Sequence, residues 1–532
     1  MNWAIDGAVL LTYFTVIIWI GLFMGRKEES LHDFALGGRK IPWWAVLASI
    51  VAAETSAGTF LGTPGEGYTL RNFTYLQLAL GTILARVIIS FTFIKPYYDY
   101  QVYSIYEFLT VRFGAATKTA ASGLFLITRV LASGTRLYIS AVILVVGYGL
   151  ISGSRPDPKQ EMMIYIGAVT FVTLLTAVYT TLGGIKAVIW TDMIQAALMI
   201  GSALVAIGWL LWHIPGGWDG VAAHLNQFQE VTFFASGLKE GQTVWEQIKG
   251  VLESEYTIFA ALLGSTFTTM ATHGTDQDMV QRMLTAKDVK RSRLSLVLSG
   301  LADIPIVFIF LSIGILLWVF YQTHPDPNLP VKTNEIFCYY ILNELPVGFR
   351  GLLVAGVFAT AMGSLSAALN ALATSFVRDW YIPFIRPASN EAAVLKAARI
   401  STIVFALFMI LVASVTAYFV ILHPKSRIIP VALGIFGYTY GSLLGVFLVG
   451  MLTKTRGNDT GNLLAMAAGF VSVAFLSGLP HDIGQMLGVQ FYKQPEWVPV
   501  IEFPWRVMFG TCVTFIVAVS FSSKKCGQAA VA

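Results

Sequence analysis

Charge is scarce in this chain. Lys, Arg, Asp and Glu make up 12% of its 532 residues, about half the ~25% of an ordinary soluble protein. Hydrophobic residues reach 56% before its 48 glycines are counted. No soluble fold of this length covers so much apolar surface with so few charges, which excludes a cytosolic enzyme and a disordered chain. Cysteine is almost absent. Cys338, Cys512 and Cys526 are odd in number and widely scattered, which leaves neither a disulfide framework nor a metal knuckle. No basic stretch opens the chain. MNWAIDG leads into an apolar run, and the first positive charges, Arg26 and Lys27, follow it. That order fits a retained span with its N-terminus outside. Also missing are an H-E-x-x-H pair, a G-x-S-x-G elbow and paired His/Asp phosphate chemistry, so no enzyme motif is present.

What is there is apolar sequence in runs of membrane-spanning length, about 20 residues each. Thirteen spans are expected, at 4–24, 42–64, 73–95, 117–150, 161–181, 186–213, 256–275, 292–321, 348–380, 393–421, 429–452, 460–479 and 503–522. With the N-terminus outside, Lys and Arg favour the inner segments by about two to one, led by KDVKRSR at 287–293, as the positive-inside rule requires. The net charge of +5 therefore reads as cytoplasmic loops, not as a nucleic-acid surface. The longest loop, 214–255, is external and carries a short helix near VWEQIKGVLESEY, and 523–532 is a cytoplasmic tail.

The informative spans carry polar groups or glycine at depth, because loose backbone is tolerated only around a protein-lined cavity. The second span holds Glu54-Thr55-Ser56-Ala57-Gly58-Thr59. Either it is a small-residue packing face with Glu54 paired to an arginine, or it is a discontinuous helix whose freed carbonyls bind an ion. The seventh span ends in a similar polar run with Ser265, Thr266, Thr268, Thr269, Thr272 and His273 before Gly274. Two interrupted spans five apart point to inverted repeats, spans 2–6 and 7–11, with a site between them. Thr360, Gly363, Ser364 and Ala367 give the ninth span one small, hydroxyl-bearing face, and Ser/Thr hydroxyls with carbonyls suit Na⁺. Arg129 and Arg136 lie seven apart in the fourth span. Arginine at that depth needs a counter-charge, with Glu54 and Asp192 as candidates, or it holds a solute carboxylate.

DFALGGRKIPWW at 33–44, GTPGEGY at 62–68, SIYEFLTVRFG at 104–114, YTTLGGIKAVIWTDMIQ at 179–195, DQDMVQR at 276–282 and the ninth span with Asp379 together resemble the sodium:solute symporter family over about 30–460. Its members include proline, sugar, sialic acid, iodide and monocarboxylate symporters. The resemblance implies an all-α polytopic membrane protein of the leucine-transporter fold, with about thirteen spans and the N-terminus outside. It implies one transporter domain over 1–532: an extra span at 4–24, a five-plus-five inverted repeat over 42–213 and 256–452, and two further spans over 460–522. Inward Na⁺ flow would drive uptake of a small organic solute by alternating access at the cell membrane, with Na⁺, solute and lipid the only partners.

The family's shared Na⁺ site maps onto the carbonyls of Ala52, Thr55 and Thr360 and the side chains at 363 and 364. Gly363 stands where a hydroxyl is usual, so Ser364 is the one hydroxyl left. A second ion site maps onto Asp192 and Ser366, but Ala367 replaces one of its serines, which favours a single Na⁺. Solute-lining positions map onto Ser56, Gly58, Thr59, Arg129, Thr269 and Thr272. Arg129 falls near the arginine that holds a carboxylate in sialic acid members, so a carboxylate solute is expected. A neutral sugar or amino acid is the alternative, and an ion channel is the less favoured third class. Thr269 and Thr272 replace the Asn and Tyr of the sugar members.

Overall fold

A computed structural model describes residues 3–25, 30–228, 231–387, 389–422, 428–481, 489, 495 and 497–523. Arg26, Lys27, Lys425, Arg427, Lys493 and all of the expected tail but Ser523 lie outside the described residues. Those described form helices and no strand. The first half of the chain contains α1 (Trp3–Met24), α2 (Trp43–Glu54), α3 (Ala57–Leu70), α4 (Leu78–Thr92), α5 (Ala115–Ser152) and α6 (Pro158–His213). After these come α7 (Thr266–Gly274), the short α8 (Gln277–Leu284), α9 (Val289–Thr323) and α10 (Phe349–Phe376). The last four are α11 (Glu391–Leu422), α12 (Ile428–Leu452), α13 (Asp459–Leu476) and α14 (Phe503–Val519).

Among the described residues, nine helices are long and apolar enough to cross a membrane, and α2 with α3 makes a tenth. At 56 residues, α6 is too long for one crossing, and Gly184 breaks it with φ 49° and ψ −152°. That left-handed backbone suits glycine. It falls between the stretches 161–181 and 186–213 that the sequence separates. The helical run Phe349–Ile385 is 89% buried over its most apolar stretch, against 17% for α1. Thus α10 is the central post, with α1, α5, α6 and α11 packed on it, and α1 is left to face lipid.

The second span is broken. α2 and α3 meet at 62°. Thr55 N–H still reaches Val51 O at 3.0 Å, but Ser56 N–H turns to Glu54 O at 3.1 Å and leaves the Ala52 carbonyl. α3 is then clamped to α9 by two glycines. A Cβ on Gly314 would fall 2.0 Å from Pro64 O, and one on Gly67 would fall 2.4 Å from Leu311 O, so the backbones touch.

The seventh span is interrupted just past its polar run, where α7 stops at Gly274 and α8 starts at Gln277. A π-helical turn over Ala260–Ser265 runs straight into α7. The polar run stays helical because its hydroxyls bond carbonyls one turn back: Thr266 to Leu262 at 2.7 Å, Thr272 to Thr268 at 3.1 Å and Thr275 to Ala271 at 2.8 Å. Threonine satisfies itself on a helix in this way. The expected loop helix is present at Val244–Leu252, opened by a Thr243–Glu246 capping box, and a second one occupies Gly217–Phe228.

Candidate functional site

A cavity of about 300 Å³ lies at the break between α2 and α3, at the small end of the range for ligand sites. Ser56, Gly58, Thr59, Arg129, Thr269 and Thr272 all line it. Glu66, Tyr75, Tyr256, Val307 and Phe503 carry it towards the end of the bundle where α3 finishes and α14 begins.

The two arginines of α5 both reach this cavity, but neither pairs as the sequence suggests. Arg129 is held by Asp276 and, at 3.2 Å, by Asp278, and Asp276 also accepts from the Tyr440 hydroxyl. Its guanidinium is therefore built into the wall. Arg136 stands over the Phe436 ring, 4.7 Å from its centroid, and no carboxylate among the described residues bridges to it. Glu54 belongs to Arg86, which also holds Asp303 at 2.9 Å. Asp192 belongs to Arg282 at 3.0 Å. Sequence spacing missed Arg86 and Asp303 as members of this wall. Asp303, a carboxylate inside an apolar helix two residues before Pro305, carries the signal that singled out Glu54.

On the other side of the break lies a cluster of oxygens. Asp192 and Gln195 are buried, and Asp192 Oδ1 and Gln195 Oε1 have no hydrogen-bond partner among the described residues. Gln195 spends its amide N–H on the Tyr13 hydroxyl at 3.3 Å, which leaves the oxygen free. A Cβ at Gly363 would lie 3.0 Å from Gln195 Oε1, 3.5 Å from Asp192 Oδ1 and 3.6 Å from the Ala52 carbonyl. Three acceptors without donors thus converge where the missing side chain would stand. Such a set favours a cation. Ser364 faces elsewhere, into a space of about 10 Å³ shared with Ala53, Ala57, Arg129 and Arg136, and its hydroxyl donates to Thr360 O at 3.1 Å. The Ser366 hydroxyl bonds Gly363 O at 3.0 Å. Thr55 sits in the break itself. Structure therefore brings Ala52 and Asp192 together, adds Gln195, and sets Ser364 to one side.

Below the cavity the protein is sealed by the DQDMVQR string. The Tyr97 and Tyr106 hydroxyls cap Gly274 O at 2.6 Å and Thr275 O at 3.2 Å. Gln277 bonds the Tyr103 carbonyl and the Ile105 N–H. Gln281 ties the Ala35 carbonyl to Asn370. Asp379 gathers Ser104, Ser122, Ser375 and Lys118.

A mid-depth cavity at a broken helix, open towards one end of the bundle and closed towards the other, is the architecture of a secondary transporter. The profile of the sodium:solute symporter family matches residues 34–469. The chain belongs to this family: it is a multi-pass membrane carrier that couples Na⁺ to a solute, and not an enzyme. A Na⁺-coupled sialic acid symporter, solved substrate-bound and outward-open, shares the fold with a TM-score of 0.78 at 23% identity, over 97% of both chains. The sodium/sialic acid symporter SiaT of Proteus mirabilis is 26% identical over 88% of each chain. Human sodium-coupled monocarboxylate transporter 1 is 28% identical over 84% of this chain and 68% of its own.

Proposed function

We propose that this protein uses inward Na⁺ flow to take up a small organic carboxylate across the cell membrane by alternating access. In this reading thirteen spans cross the bilayer with the N-terminus outside. Residues 42–213 and 256–452 form the two repeats, 4–24 and 460–522 supply flanking spans, and 523–532 is a cytoplasmic tail. The break between α2 and α3 feeds the Ala52 and Thr55 carbonyls to Na⁺, with Thr360 opposite and Ser364 beside the shell. Asp192 Oδ1 and Gln195 Oε1 complete the shell in the space left by Gly363, with Ser366 behind them. One Na⁺ moves per cycle.

The solute lies against Ser56, Gly58, Thr59, Thr269 and Thr272, with its carboxylate on Arg136. The observation that carries this reading is the contrast between the arginines. Arg129 has two aspartates, whereas Arg136 faces the same cavity with no bridging carboxylate among the described residues. Arginine is built for two parallel bonds to a carboxylate. Relatives named for sialic acid and monocarboxylates support an acidic solute.

Thermal unfolding of the purified protein tests this. Na⁺, but not K⁺ or choline, should raise the melting temperature, and short carboxylates should raise it further only when Na⁺ is present. Stabilisation that ignores the cation, or that only uncharged sugars produce, would contradict the reading.

A further inference from the structure

Charge in the solute cavity is not only open, it is divided. On α5, no carboxylate among the described residues bridges to Arg136. Elsewhere in the same lining two carboxylates share one cation. Arg86 Nη2 contacts both Glu54 Oε2 and Asp303 Oδ2, and its Nη1 is spent on Ser299 at 3.0 Å. His273 stands behind this wall, its Nε2 3.4 Å from Arg86 Nη2 and 3.6 Å from Glu54 Oε2, the oxygen that Arg86 already holds. Two carboxylates thus compete for one guanidinium. The remaining oxygens, Glu54 Oε1 and Asp303 Oδ1, receive no hydrogen bond from any described residue. Glu54 and Asp303 both line the cavity, and their side chains are 26% and 14% exposed, so the two carboxylates are open to the solute space. Tyr75, in the same wall, lies within electrostatic reach of Glu54, Asp303 and Arg136 at once. Glu66 also lines the cavity and is itself engaged.

Carboxylate oxygens without donors and a guanidinium without a bridging carboxylate, lining one small and partly dehydrated space, are costly when unmatched. A solute with a single charge relieves one wall and leaves the other. A solute carrying both charges relieves both.

We infer that the solute is a small amino carboxylate. Its carboxylate sits on Arg136, and its ammonium sits between Glu54 and Asp303, donating to the two oxygens that Arg86 leaves free. This rests on the Arg136 reading above and adds the second charge to it.

Matched pairs of solutes test it on the unmodified protein. L-Alanine and β-alanine are compared with propionate, 4-aminobutyrate with butyrate, and L-proline with cyclopentanecarboxylate. Each is titrated for thermal stabilisation in Na⁺ and for inhibition of labelled uptake in proteoliposomes. At least one amino acid should bind about tenfold or more tightly than its des-amino partner, the usual weight of a charge-assisted hydrogen bond. Asp303→Asn should abolish that preference and leave binding of the plain acid intact. The variant still leaves Arg86 its pairing with Glu54, so the wall itself survives.

Equal binding of acid and amino acid throughout the panel would overturn the inference and leave the Arg136 reading standing. So would uptake of the plain acid together with a proton, seen as alkalinisation outside and lost in Asp303→Asn, because a proton would then be what fills the acidic wall. Failure of both classes to bind would overturn the two readings together.

Discussion

Arg129 and Arg136 stand two turns apart on one helix, beside one cavity, and they meet opposite fates. Arg129 is closed in by Asp276 and Asp278, and through Asp278 it joins Arg282 and Asp192. Arg136 has an aromatic ring beneath it and solvent space before it. The same contrast divides the protein. On the sealed side, Gln277, Gln281 and Asp379 bond several partners each. On the open side, Glu54 and Asp303 crowd one guanidinium, and across the break Asp192 Oδ1 and Gln195 Oε1 have no hydrogen-bond partner among the described residues. Saturated polar groups hold a transporter's closed half in place, and unsatisfied ones wait for cargo.

Removing Arg129 should do the most damage. Arg129→Ala leaves buried Asp276 without a cation and Asp278 with Arg282 alone, at a cost of about 3–5 kcal/mol, so the yield of folded protein and its melting temperature should both fall, with or without solute. A mutant of normal stability that has only lost solute binding would reverse the roles assigned to the two arginines. Arg136→Ala should fold normally and bind the solute about 10–100-fold more weakly, since it removes charged hydrogen bonds and not a structural pair. Arg136→Lys should fall between, keeping the charge and losing the fork. Titrating the solute against melting temperature in both variants separates affinity from stability.

The ion side gives smaller effects. Gly363→Ala places a methyl 3.0 Å from Gln195 Oε1, which crowds the proposed Na⁺ shell and adds no ligand. The Na⁺ concentration for half-maximal uptake should rise severalfold. Gly363→Ser should be milder than Ala, because its hydroxyl can take a place in the shell. Ser364→Ala should be the mildest, a change of about twofold for one neutral hydrogen-bonding group, because Ser364 stands beside the oxygen cluster and not within it. If Ser364→Ala exceeds Gly363→Ala in uptake measured against Na⁺, the ion lies nearer Ser364 than the donor-free oxygens indicate.

Much of the fold could be read before the structure. Scarce charge and long apolar runs point to a multi-pass chain, and Gly183-Gly184 marks the break within α6. The seventh span breaks past its threonines and not among them: Thr266 and Thr272 close on their own helix, and the helix ends only at Gly274 before α8 begins at Gln277. The second span unwinds for a different reason: Glu54 is drawn to Arg86, and Ser56 bonds the peptide just before it. Pairings across the bundle were not legible. Glu54, Asp192, Arg129 and Arg136 are all visible as buried charges, but spacing along one helix says nothing of which neighbour supplies the partner. That partner is Arg86 for Glu54, Arg282 for Asp192 and the DQDMVQR string for Arg129, which leaves Arg136 open. Gly363 reads in sequence as a lost ligand. In the structure it is the space into which two orphaned oxygens point.

Sodium coupling itself is tested most directly by uptake into proteoliposomes that hold the purified protein and an inward Na⁺ gradient, with labelled amino acids and short carboxylates outside. The solute should accumulate above its outside concentration, saturably. Accumulation should collapse when the gradient is dissipated by a Na⁺ ionophore or replaced by K⁺. Uptake that only equilibrates, at the same rate whether or not a Na⁺ gradient is present, would show a passive pathway and contradict sodium-driven transport.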